Sequence, residues 1–154
     1  MRHAYLLVFL VACSSSEGSS GTPRKCLAAP AAIDTTMPEV SFKTTIAPML
    51  QSNCALPACH GDPKSSLGIY LSGDAPGMYA ALKKPAVTNI KLDFVKPGAP
   101  NDSFLMHKVD GTQCTLDKDC VKDSCGNVMP PDAQLSAADR DAIRRWIAQG
   151  AKDN

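Results

Sequence analysis

Two cysteines and a histidine within seven residues, Cys54-Ala55-Leu56-Pro57-Ala58-Cys59-His60, constrain this chain more than any other segment. Thiols at this spacing can close on one another as a small disulfide loop, which leaves His60 as an exposed loop residue. They can also add to the two vinyl groups of one haem, and the histidine that follows directly then places an imidazole nitrogen over the iron. A haem site of this kind ordinarily has two residues between its cysteines, whereas this one has four, so these residues alone leave both readings open. Composition bears on the choice. Four Phe, three Tyr and one Trp are few for the core of a 154-residue chain, although 44% of the residues are hydrophobic. Something besides aromatic packing has to fill such a core. Twelve Pro and ten Gly point to a loop-rich chain rather than a bundle of long helices. Sixteen Lys and Arg against fifteen Asp and Glu leave a net charge of +1, which argues against a nucleic-acid binder with a basic face.

Seven cysteines are many for a cytosolic protein, where thiols stay reduced, and the N-terminus points the same way. Arg2 and His3 precede nine apolar residues, Ala4 to Ala12, a run too short to span a bilayer but suited to a secretory signal. Leu10-Val11-Ala12-Cys13 resembles the lipobox of bacterial lipoproteins. That resemblance implies a signal peptide over residues 1–12, cleavage before Cys13, and a diacylglycerol on its thiol. Loss of Arg2 with the signal would leave fifteen positive against fifteen negative charges, so a lipid rather than electrostatics would hold the chain at a membrane. From Ser14 the composition turns to Ser, Gly, Ala and Pro, and residues 13–38 read as a flexible tether ahead of a domain over 39–154.

Three helices are predicted in that domain. Ser41 is a candidate N-cap for Phe42, Ile46, Met49 and Leu50, which share one helical face, and Pro48 makes this helix kink or start late. Phe104 to Val109 reads as a short helix stopped by Asp110-Gly111. The last helix has Ser136 and Asp139 as a capping box and Gly150 beyond its end. Ala142, Ile143, Trp146 and Ile147 form its apolar stripe, with Arg140, Asp141, Arg144 and Arg145 outside. The stretches from Pro63 to Pro100 and from Gly111 to Pro131 read as long loops.

A haem iron in an electron carrier takes a second axial ligand, usually Met or His. Met129-Pro130-Pro131 offers a thioether on a proline-stiffened loop, and Met106 and His107 are the alternatives. At this point the chain resembles the c-type cytochromes, nearest to the planctomycete-type cytochrome c domain. The residues that carry the resemblance are Ser41-Phe42 with Ile46 to Leu50, Cys54 to Gly61, Leu67-Gly68-Ile69, Val95 to Leu105, Met129-Pro130-Pro131, Leu135-Ser136 and Ile143 to Ala151. The four-residue spacer departs from that family's pattern. The resemblance implies a mainly α fold, a small cytochrome c-like domain of about three helices around one covalently bound haem. It also implies Cys54 and Cys59 as thioether donors, His60 as proximal ligand and Met129 as distal ligand. The porphyrin would then supply the core filling that the aromatics lack.

Cys26, Cys114, Cys120 and Cys125 remain, and their three possible pairings are open; they read as disulfides bracing an insertion before Met129. Asp117, Asp119 and Asp123 lack the Gly and terminal Glu of a calcium loop, and the cysteines lack a neighbouring His for zinc. The expectation is a single-haem electron carrier rather than an enzyme, in the cell envelope. It would be lipid-anchored on the periplasmic side of the inner or outer membrane or at the cell surface, with redox proteins as partners. The rivals are a haem-free, disulfide-braced binding lipoprotein and the haem subunit of a periplasmic oxidoreductase.

Overall fold

Ser41 opens the fold. In the computed structural model, which describes residues 26–64, 69–71, 73–89, 91–131 and 133–154, its hydroxyl accepts the Thr44 amide at 3.2 Å and caps a π-helical turn, Phe42–Ile46. Helix α1 (Ala47–Asn53) follows, with Pro48 in its first turn, where a missing N–H leaves no hydrogen bond unmade. The expected late start is thus real, and the wide turn is what accommodates the proline. The signal peptide, Cys13 and the first half of the expected tether lie outside the described residues.

Helix α3 (Phe104–Asp110) ends on Gly111 in the left-handed conformation, at φ 76°. Helix α4 (Ala137–Ala148) is capped by Ser136, whose hydroxyl accepts the Asp139 amide and donates to the Asp139 carboxylate. Between them run two short 3₁₀ stretches, Gln113–Asp119 and Val121–Asp123. The domain is mainly helical, and among the described residues there is no strand, only isolated bridges. The core joins the opening turn to α3 and α4. Phe42, Ile46, Leu50, Val109, Ile143, Trp146 and Ile147 are at most 1% exposed, and the Phe42 ring lies 5.2 Å from both Trp146 and Tyr79.

Three expectations need correction. The stretch from Pro63 to Pro100 contains a further helix, α2 (Ala75–Leu82), capped by the Asp74 carboxylate accepting the Gly77 amide at 2.6 Å. Arg144 does not face outward. It is 8% exposed and donates to Asp110 at 2.5 Å, with Arg140 on the other carboxylate oxygen at 3.2 Å. Asp110 draws both guanidinium groups in because its own carboxylate is buried where α3 meets α4 and needs charged donors there. The tether is held from Cys26 onward. Cys26 is joined to Cys114, the Leu27 amide donates to the Gly111 carbonyl at 3.0 Å, and Gln149 Nε2 donates to the carbonyls of Thr35, Thr36 and Pro38. The second disulfide is Cys120–Cys125, which settles the pairing left open above.

Candidate functional site

The cysteine pair sits on a tight coil at the C-terminus of α1. The amides of Cys54 and Ala55 both donate to the Leu50 carbonyl, which continues the helix by one residue. The chain then folds back on itself. Cys59 and Gly61 donate to the Leu56 carbonyl at 2.9 Å, and His60 donates to the Cys54 carbonyl at 3.1 Å. The four-residue spacer is therefore absorbed by a turn, and His60 returns to the backbone of Cys54. Gly61 closes the coil because nothing larger fits: a Cβ there would lie 2.3 Å from the Ala55 carbonyl oxygen.

His60 is fixed on its other side as well. Its Nδ1 lies 3.0 Å from the Ile69 carbonyl, and its own carbonyl accepts the Leu71 amide at 2.8 Å. A carbonyl oxygen can only accept, so Nδ1 carries a proton. A metal-ligating histidine is commonly held in this way, with one ring nitrogen oriented by a main-chain carbonyl. Cys54 is a free thiol, and burial pushes its pKa up to about 11, so it is protonated at neutral pH. Cys59 is disulfide-bonded, and not to Cys54, so attachment of a porphyrin at this pair requires that bond to be reduced first.

Met129 stands on a separate loop tied to α3, its amide donating to the Lys108 carbonyl at 2.8 Å, and its side chain is half-buried. Its rivals are differently placed. Met106 is 2% exposed and packs in the main core. Both nitrogens of His107 are engaged, Nδ1 with the Thr112 hydroxyl at 2.9 Å and Nε2 with the Asn101 carbonyl at 3.0 Å. Nε2 must therefore donate, so neither ring nitrogen is set up to bind iron. The structure thus brings Cys54, Cys59 and His60 into one coil and holds Met129 on α3.

A cavity of about 310 Å³ opens beside Ile69, lined by Tyr70, Ala81, Phe94 and Phe104 with Lys84 at its wall. Neither His60 nor Met129 lines it. It is mostly apolar, with Lys84 as its one cation. Among the described residues, no three His, Cys, Asp or Glu side chains converge as they would around a bare metal ion. No helix among them is long and apolar enough to cross a membrane. The Ile69 carbonyl has no signature in sequence, since any residue supplies one; only the fold shows that it orients His60. The chain matches no protein-family model, no curated protein and no solved structure.

Proposed function

We propose that this chain is a single-haem c-type cytochrome that carries electrons in the cell envelope. The observation that carries the proposal is the hydrogen bond from His60 Nδ1 to the Ile69 carbonyl, directly after a coil bearing two cysteines. It fixes the ring plane through Nδ1, as a metal-ligating histidine requires. A bound haem supplies a one-electron iron couple. Cys54 and Cys59 would supply the sulfurs that hold the haem, Cys59 after a dithiol reductant has reduced its disulfide by thiol exchange. Met129 would supply a second, thioether ligand, whose softness would favour the ferrous state and raise the potential. With His60 and Met129 both holding the iron, the chain would pass electrons to redox protein partners rather than turn over a substrate. With the Cys59 disulfide reduced, Cys13 would carry the lipid that keeps the domain at a membrane facing the periplasm or the cell surface.

Full-length protein produced with haem-maturation machinery tests the proposal. One haem per chain by pyridine haemochrome spectrum, retained through denaturing electrophoresis, is expected. Met129→Ala is expected to erase the weak long-wavelength sulfur-to-iron band of the ferric protein and admit carbon monoxide to the ferrous one. Absence of covalent haem overturns the proposal in favour of a haem-free, disulfide-braced binding lipoprotein, a reading supported by Cys26–Cys114, Cys120–Cys125 and the bonded state of Cys59.

A further inference from the structure

Lys108 is the least expected residue in the interior. It sits on α3 and is 9% exposed. Its ammonium donates to the main-chain carbonyls of Cys125, at 2.8 Å, and Asn127, and lies 5.9 Å from the centre of the Phe104 ring. A buried lysine loses hydration that only well-placed acceptors restore, and a leucine or methionine would fill the same space without that loss. Two acceptors of the ammonium lie on one loop, residues 125–129. The Lys108 side chain takes two carbonyls of that loop, and its main-chain carbonyl takes the Met129 amide at 2.8 Å. One residue thus fixes the loop from both ends of its own structure, side chain and backbone.

We infer that Lys108 is the positioning residue for Met129, setting how firmly its sulfur is presented to the iron. The inference rests on Met129 being the second ligand. It also gives the Cys120–Cys125 disulfide a route to the same site, since Cys125 provides both a bridge sulfur and one of the two carbonyls.

Lys108→Met, which keeps the apolar stem and removes the donors, tests this in the full chain. Regional hydrogen exchange is the first readout and needs no haem. Amides of residues 125–129 are expected to exchange roughly tenfold faster or more, since two charge-assisted bonds are lost, with α4 unchanged. Lys108→Arg, which restores donors, should return exchange toward wild type. In haem-loaded protein, Lys108→Met is expected to keep the covalent haem but weaken the ferric sulfur-to-iron band and admit carbon monoxide. Unchanged exchange overturns the inference even if the cytochrome reading stands. Faster exchange with an unaltered band shows that Lys108 holds the loop but not the ligand, and overturns it too. A wild-type ferric protein with no such band removes Met129 as ligand and the inference with it. Should Lys108→Met fail to fold, Lys108→Gln, with a shorter reach and no charge, carries the same exchange test.

Discussion

Replacing Gly61 with alanine puts the coil at the end of α1 under direct test. The new Cβ would lie 2.3 Å from the Ala55 carbonyl oxygen, 2.8 Å from its carbon and 2.9 Å from the Leu56 carbonyl carbon. All three are backbone atoms, so no rotamer change relieves the clash. Ordinary contact begins near 3.4 Å, so the segment carrying residue 61 must retreat by about 1 Å. A retreat of that size breaks the 2.9 Å bond from the Gly61 amide to Leu56 and stretches the 3.1 Å bond from His60 to Cys54. Two weakened hydrogen bonds cost about 1–2 kcal/mol and the displacement about 1–2 kcal/mol more. A total of about 2–4 kcal/mol lowers the urea midpoint by roughly 1–2 M at an m-value near 2 kcal/mol/M. Gly73→Ala is the control, because a Cβ there meets nothing within 4 Å, and its effect should stay within about 0.5 kcal/mol. Equilibrium urea unfolding followed by Trp146 fluorescence measures both. If the two variants unfold at the same midpoint, the coil is not packed as described, and the account of how the four-residue spacer is absorbed falls with it.

Cys54 should resist alkylation at pH 8 in protein without haem, its rate rising only as pH approaches about 11, because burial holds the thiol protonated. The sign for stability is the same: the folded chain keeps a proton that the unfolded chain releases near pH 9, so stability falls as pH rises from 9 toward 11. Asp110→Asn leaves the buried Arg144 without its carboxylate and should cost about 3–5 kcal/mol in thermal unfolding. Cys26→Ser removes a cross-link spanning 88 residues, worth about 4–5 kcal/mol if chain entropy alone counts. Limited proteolysis should then cut within residues 27–38, where the wild type resists.

Local signals carried far. Ser41, Ser136 with Asp139, and Gly111 mark helix boundaries because each acts on amides or carbonyls within four residues, and sequence records those distances directly. Helix α2 was hidden behind Ala75-Pro76-Gly77, which reads as a turn, although Asp74 before a proline is also how a helix begins. Arg144 misleads for a different reason. Helical periodicity assigns a charged residue to the wet face, and only the packing of α3 on α4 reveals the carboxylate waiting inside. The His60 coil was legible as residue types, but its orientation was not. That depends on the Ile69 carbonyl, and main-chain acceptors leave no mark in a sequence. Lys108 escaped notice on the same ground, since its partners are carbonyls of Cys125 and Asn127.

The Cys26–Cys114 bridge also sets a length. If Cys13 bears the lipid, a leash that ran freely to Glu39 would contain 39 − 13 = 26 peptide steps, with a contour of about 90 Å at the 3.3–3.6 Å per residue of extended chain. Pinned at Cys26, it contains 26 − 13 = 13 steps and cannot exceed about 45 Å. The slab of space above the membrane in which the domain can meet a partner is halved in height. A partner seated within that slab is reachable and one beyond it is not.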